Sequence, residues 1–321
     1  MALLGLAEAR GDRPAMLNAM RGVGLISLLM GRVVEGRELA ERTVKEFGES
    51  DEAERVAARA VGQDAGAAGL AVLSWALWLL GQIDSAVARI DAALQRADTV
   101  KDPHTQAYVC YYASVLHALL GEPAVAYRHG ERCFILSEEH GFRQWRSVAR
   151  AIRDICTAVL NPSSDAIDQV VRGLDEYLHV GYQFGITALF VPLCEALFLR
   201  HRLDVALEVI EQGLATCDLN SERFFEAEMY RLKAQALLLG NESNGGSHAQ
   251  SLLDKALTIA RSQSVRSLEL RAALDLARLW HYQGKGTEAR HLLAPIYSWF
   301  TEGFDTRDLK EAKALLDALA S

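Results

Sequence analysis

The sequence predicts an all-α fold, a right-handed α-solenoid of about seven helix pairs followed by a C-terminal capping helix. Three observations predict it. Alanines stand at positions 86, 126, 166 and 206, always forty residues apart. Half of the residues are hydrophobic and only six are prolines, so little in the chain breaks a helix. No sustained alternation of apolar and polar residues, the pattern of a strand, occurs outside the helical patterns.

Each repeat has a turn residue and, five positions later, a small residue. The pairs are Gly31 and Gly36, Gly81 and Ala86, Gly121 and Ala126, Asn161 and Ala166, His201 and Ala206, and Gly284 and Ala289, with Ala249 continuing the phase after an insertion. Seven positions beyond the small residues stand Thr43, Ala93, Cys133, Gly173, Gly213, Ala256 and Ile296. Small side chains let helix backbones approach closely, so we expect buried helix crossings at these positions.

The same phase gives the boundaries of the repeats within one domain, 1–321. The repeats are 14–48, 64–100, 103–141, 143–181, 183–218, 221–263 and 264–303, and the capping helix is 306–319. Asp84, Ser164 and Asp204 are expected to cap second helices through a side-chain oxygen. Pro103 and Pro123 suit the first turn of a helix.

Charge and composition exclude several classes of function. A net charge of −8 argues against direct binding of nucleic acid or of an anionic membrane. Residues 65–83 carry no charge, but they contain three glycines and fit the repeat, so we expect a buried helix and not a membrane span. Five cysteines without zinc-ligand spacing favour a reduced, cytoplasmic protein.

The offsets match the tetratricopeptide pattern of a glycine, an alanine five residues later and a small residue seven after that, although the period is forty and not the usual ~34. Several segments also resemble the C-terminal repeat region of large bacterial signalling ATPases, where a class III nucleotide cyclase or winged-helix domain often precedes a P-loop ATPase module. These segments are 62–66, 75–81, 222–233, 267–273 and 294–313. The resemblance implies a sensor or interaction region, either free-standing or part of a longer chain.

Catalytic motifs of that family are missing from the sequence. Residues 284–287 (Gly-Lys-Gly-Thr) lack the glycine-rich lead of a phosphate-binding loop, and no cyclase aspartate pair can be placed on a strand. No H-E-x-x-H or G-x-S-x-G motif occurs, and no histidine pairs specifically with a cysteine. We therefore expect no enzymatic activity, no cofactor and no metal site.

First helices line the inner groove of tetratricopeptide arrays, which predicts the candidate binding residues. They are Trp75, Trp78, Tyr108, Tyr111, Glu195, Phe198, Tyr230, Arg271, Arg278 and His281. The tryptophans have a core interpretation as well, whereas Arg271 and Arg278 are expected to face the groove because arginine is seldom buried unless paired. The alternative is that Glu228, Glu269 and Asp275 neutralise both arginines.

The predicted partner is a protein or peptide segment with acidic groups, or an ATPase or cyclase module. A groove that closes around a small-molecule effector, and so controls an attached or separate cyclase, ATPase or transcription-factor domain, is the alternative.

Overall fold

The computed structural model describes residues 2–161, 169–172, 185–240 and 245–320, and these contain sixteen α-helices and no strand. The helices of the first half are α1 (Ala2–Arg10), α2 (Arg13–Leu29), α3 (Val33–Glu49), α4 (Glu52–Arg59), α5 (Ala65–Leu79), α6 (Ile83–Val100), α7 (Pro103–Leu119), α8 (Pro123–His140) and α9 (Arg143–Leu160). Those of the second half are α10 (Thr187–Phe198), α11 (Leu203–Asn220), α12 (Glu226–Leu239), α13 (Gly245–Ser262), α14 (Arg266–Tyr282), α15 (Gly286–Ser298) and α16 (Arg307–Ala318).

The all-α prediction is confirmed in the described residues. Among them, α2, α5, α7 and α9 begin within one residue of the predicted starts of their repeats, whereas α10 and α12 begin four and five residues later. Helices α1 and α4 were not predicted. The fourth predicted crossing residue, Ala166, and the cap at Ser164 lie outside the described residues.

The small residues lie at buried helix crossings. Ala86, Ala126, Ala206, Ala249 and Ala289 are all 0 % exposed. In the first repeat the position is Gly36, where an added Cβ would lie 3.0 Å from the carbonyl oxygen of Gly24 and from the backbone nitrogen of Leu28. The backbones of α2 and α3 are therefore in contact at this point.

The turns between paired helices need a left-handed backbone. Gly81 and Gly121 have φ of +83° and +76°, a conformation that costs glycine little because it lacks a Cβ. His201 adopts φ of +54° at the corresponding turn, which an L residue rarely does.

Two of the predicted caps are wrong, and the proline positions are right. Helix α6 begins at Ile83 and α11 at Leu203, so Asp84 and Asp204 lie inside the first turn rather than at the cap. The Asp84 carboxylate accepts a hydrogen bond from the backbone N–H of Gly303 instead. Helices α7 and α8 do begin at their prolines.

Backbone contacts divide the chain into two compact units. The N-terminal unit comprises Met1–Leu77, Ser85–Ala118 and Glu122–Gln183, and the C-terminal unit comprises Trp78–Asp84, Leu119–Gly121 and Phe184–Ser321. Whether all repeats form one continuous solenoid stays a prediction.

Each unit has its own apolar interior. The N-terminal unit buries Leu17, Met20 and Ile152 completely, and the C-terminal unit buries Phe190, Phe224 and Leu232. The uncharged stretch forms α5, whose residues are buried along its whole length. No helix in the described part of the chain is both long and apolar enough to cross a bilayer.

Candidate functional site

Three predicted groove residues of the N-terminal unit lie in its core. Trp75, Tyr108 and Tyr111 are 3 %, 3 % and 6 % exposed. The Trp75 indole N–H donates to the carbonyl of Tyr112 at 3.1 Å, and the two rings have centroids 4.4 Å apart. Tyr108 and Tyr111 each pack against Trp145, at 5.5 and 5.6 Å. The groove prediction for these residues is corrected to a core role, because neighbouring aromatic rings cover them.

Trp78 and Phe198 belong to the C-terminal unit and are also buried, at 2 % and 8 % exposure. Trp78 stacks on Phe225 with centroids 6.0 Å apart, and its carbonyl accepts from the hydroxyl of Ser267 at 2.5 Å. These two aromatic residues therefore support the fold rather than line an open surface.

Arg271 is the centre of the polar interior of the C-terminal unit. It is 4 % exposed, although the sequence predicts that it faces the groove. Its Nε donates to Asp308 at 2.6 Å, one Nη to Glu228 at 3.0 Å and the other to the carbonyl of Leu119 at 2.6 Å. The groove assignment is wrong for Arg271, because burial satisfies its guanidinium with two carboxylates and a carbonyl.

Glu228 joins Arg271 to a second buried arginine. The carboxylate of Glu228 is 0 % exposed and accepts two hydrogen bonds from Arg231, both at 2.9 Å. Arg231 also donates to Asp275 at 2.7 Å. We call Glu228, Arg231, Arg271, Asp275 and Asp308 the ion-pair cluster.

Electrostatic interactions within the cluster keep Glu228 and Arg271 ionised. Burial alone would raise the pKa of Glu228, but Arg231 and Arg271 outweigh burial and lower that pKa to about 2. Burial also opposes the charge of Arg271, and Asp308 and Glu228 overcome it, so its pKa stays above the ordinary arginine value. A buried charge whose partner is removed is costly, so the cluster acts as a unit.

The cluster also satisfies the end of a helix. The carbonyl of Leu119, which Arg271 binds, is in the last turn of α7, where carbonyls lack partners within the helix and carry partial negative charge. Trp78 offers its carbonyl to Ser267 at the end of α5 in the same way. One helix, α14, therefore supplies both donors.

Charged residues beside the cluster remain accessible to solvent. The side chain of Arg278 is 46 % exposed and donates to Asp275 at 3.2 Å and to Glu311 at 2.6 Å. Arg307, 43 % exposed, donates to Glu195 at 3.1 Å. We call Glu195, Arg278, Arg307 and Glu311 the charged rim.

The remaining candidates do not gather around Arg271. Tyr230 is half-buried and accepts a hydrogen bond from Lys255 at 2.6 Å, with the Lys255 nitrogen 4.0 Å from its ring centre. His281 is exposed near the end of α14. Of the three candidates on α14, Arg278 and His281 reach solvent and Arg271 does not.

Sequence reasoning missed Arg231 and Asp308. The spacing of Glu228 and Arg231, three residues apart in one helix, is a sequence signal for an ion pair. Nothing local marks Asp308, whose partner is 37 residues away. Glu269, one of the expected neutralising residues, pairs with Arg261 and Arg266 instead.

The cysteines are buried, and burial keeps their thiols protonated. Cys110, Cys156 and Cys217 are buried, and burial raises the pKa of each thiol to about 12. Burial raises the pKa of Cys133 and Cys194 as well. Within the described ranges, no three histidine, cysteine or carboxylate side chains are grouped so that they could hold a metal ion.

Comparison with known proteins identifies a fold rather than a family. No protein-family model matches the sequence, and no curated protein matches it. The structure is similar to the apo form of RapI, with a TM-score of 0.52, 13 % identity, and coverage of 94 % of this chain and 99 % of that one.

A second similar structure is yeast Tom70, with a TM-score of 0.53 and 14 % identity, covering 89 % of this chain and 60 % of that one. A tetratricopeptide repeat protein from Parabacteroides merdae is also similar, with a TM-score of 0.48, 13 % identity, and coverage of 95 % of this chain and 99 % of that one. The similarity to RapI and to Tom70, together with the buried crossings, supports the tetratricopeptide-like, all-α repeat fold.

Proposed function

We propose that this chain is a non-catalytic scaffold that binds a segment of another protein at the charged rim of its C-terminal unit. The observation that carries the proposal is the difference in burial between two arginines of α14. Arg271 is buried and fully partnered, whereas Arg278, two helical turns further on, lies at the surface with two carboxylate partners.

An exposed, paired arginine is suited to exchange of partners. An exposed ion pair contributes about 0–1 kcal/mol, so a carboxylate on an incoming segment competes with Glu311 at low cost. Arginine adds bidentate geometry toward carboxylates, which favours an acidic segment as the ligand. Tyr230 and Lys255 supply an aromatic and a basic group on the neighbouring helices α12 and α13.

The cellular setting comes from the sequence resemblance alone. We propose that the partner is an ATPase or cyclase module of a bacterial signalling system, on the same chain or on a separate one, and that the protein is cytoplasmic. The inert, buried thiols support the absence of catalysis.

Affinity capture with matched baits tests the proposal. The purified chain, its Arg278→Ala variant and its Arg290→Ala variant are compared by quantitative mass spectrometry of bound proteins. Arg290 is an exposed arginine on α15, so it controls for loss of one surface charge. We expect one reproducible partner that the first variant loses and the second keeps, with unchanged melting temperatures. If every captured protein binds all three baits equally, the rim is not the binding surface.

A small-molecule sensor is the second candidate, and a polar depression favours it. Its volume is about 640 Å³, and Ser247, Gln250, Ser251, Asp254, Gln283 and Lys285 line it. A volume of this size suits a small polar ligand. A thermal-shift screen of charged metabolites, repeated on Asp254→Asn, would support this candidate only if a ligand stabilises the parent chain and not the variant.

A further inference from the structure

The last helix, α16, has few apolar anchors. Leu309 and Ala312 are its fully buried side chains, at 1 % and 0 % exposure. Leu315 and Leu316 are half-buried, and Lys310, Lys313 and Ala314 are exposed. A helix with so little buried apolar surface depends on other contacts to stay in place.

Ion pairs supply those contacts, and their partners lie on helices outside the α15–α16 pair. Asp308 accepts from Arg271 of α14 at 2.6 Å, and Glu311 accepts from Arg278 of the same helix at 2.6 Å. Arg307 donates to Glu195 of α10 at 3.1 Å. Two carboxylates three residues apart, flanked by a leucine and an alanine, thus meet two arginines on α14.

We propose that α16 occupies the binding site of a partner helix on α14. An amphipathic helix of another protein, with the same pattern of carboxylates and small apolar residues, replaces α16 there. This inference rests on the proposed function and names the class of its partner. The partner presents two carboxylates one helical turn apart beside a small apolar stripe. Complementary charge argues for this occupant, since α14 presents Arg271 and Arg278 to the carboxylates of α16, whose Leu309 is buried.

The exchange needs α16 to detach while the rest of the unit stays folded. Of its three ion pairs with α10 and α14, the one between Arg278 and Glu311 is exposed on both sides, and Arg307 is 43 % exposed. Exposed pairs contribute little to stability, so they oppose detachment only weakly. The ion pair between Asp308 and the buried Arg271 is then the main polar contact that keeps α16 in place.

A labelled peptide of residues 304–320 tests the proposal on the full chain. Ala312→Glu places a charge at a fully buried site and should displace the tethered helix, whereas Ala314→Glu adds the same charge at an exposed site of the same helix. We expect the Ala312→Glu protein to bind the peptide at least tenfold more tightly than the parent or the Ala314→Glu protein, by fluorescence anisotropy. A peptide with Asp308→Asn and Glu311→Gln should lose most of that affinity.

The opposite results would overturn the proposal. If the folded Ala312→Glu protein does not bind the peptide, α16 is not replaceable. The proposal also fails if the peptide with Asp308→Asn and Glu311→Gln binds as tightly as the unaltered peptide. If Ala312→Glu does not fold, hydrogen exchange of the parent chain decides: amides of α16 must exchange well before those of α14, and equal protection refutes the idea. If the parent forms dimers by exchanging α16, the occupant is a second copy and the proposal of a foreign helix fails. The assay uses only purified chain and peptide, so its outcome is independent of whether capture finds a partner.

Discussion

The contact between the backbones of α2 and α3 gives a sharp test of the repeat packing. Gly36→Ala adds a Cβ 3.0 Å from the Gly24 carbonyl oxygen and the Leu28 nitrogen, and 3.1 Å from the Leu28 Cα. Ordinary contacts lie near ~3.5 Å or beyond, so the two helices must separate by a few tenths of an ångström. Backbone atoms cannot rotate away as a flexible side chain does.

The magnitude follows from two opposing effects. Overpacking of this kind costs about 1–3 kcal/mol, and replacing glycine by alanine inside a helix returns about 0.5–1 kcal/mol. Gly22 on α2 is the matched control, because an added Cβ there meets nothing within 4 Å. Gly22→Ala should therefore stabilise by about 0.5–1 kcal/mol, and the two variants should differ by about 1–3 kcal/mol.

Hydrogen exchange of the α2 and α3 amides, resolved by mass spectrometry, measures the effect. It reports local free energies and does not require the two units to unfold together. Gly36→Ala should accelerate exchange in both helices, and Gly22→Ala should slow it. Equal protection in the two variants would show that the crossing tolerates a Cβ and that the small-residue rule has another cause.

Four further predictions concern buried groups. Arg271→Met should lower the free energy of unfolding by about 3–5 kcal/mol and Arg278→Ala by about 0–1 kcal/mol in urea titrations, because only the first removes a buried cation that pairs with Glu228 and Asp308. Equal losses would contradict the cluster. The low pKa of Glu228, about 2 against 4.5, stabilises the fold above pH 4.5, and about 3 kcal/mol of this should be lost as pH falls toward 2, but not in Glu228→Gln. Burial, and next the neighbouring His117, lower the pKa of His129 to about 4 from 6.5. The free energy of unfolding should therefore decline by about 1 kcal/mol, after allowance for solvent screening, as pH falls from 6.5 to 4. A flat pH profile that matches that of His129→Gln would refute this. The five buried thiols should react with a disulfide reagent at pH 8 only after unfolding, and a fast reaction in the native protein would show that one of them is accessible.

The repeat could be predicted from the sequence because its signals are local. Small residues at fixed offsets from a turn determine where helices pair, and Ala86 and Ala126 are buried as the spacing requires. Helix α4 was missed although Asp51 and Glu54 form a capping box, which is a short-range signal for a helix start. With eight residues, α4 is too short to show the repeated apolar positions that predict the longer helices.

The site could be predicted only in part, because burial depends on distant residues. Arg271 is buried by Leu119, Glu228 and Asp308, which lie 152, 43 and 37 residues away in sequence. A local rule about arginine exposure cannot include them. Arg278 is 46 % exposed, and its partner Glu311, at 41 %, lies at the surface as well.

The fixed spacing of the crossing residues limits how the gene can change in length. One residue inserted within a helix rotates all later side chains by about 100°, which would turn a crossing alanine away from its partner helix. From Ala86 to Ala289, neighbouring crossings are forty residues apart except for Ala206 and Ala249, which are 43 apart. The three extra residues come after the end of α12 at Leu239 and before Ala249. Both crossings stay buried despite the insertion. Duplication of a whole repeat or growth of a connecting segment therefore preserves the packing, so related chains should differ by complete units and by connection length rather than by helix length.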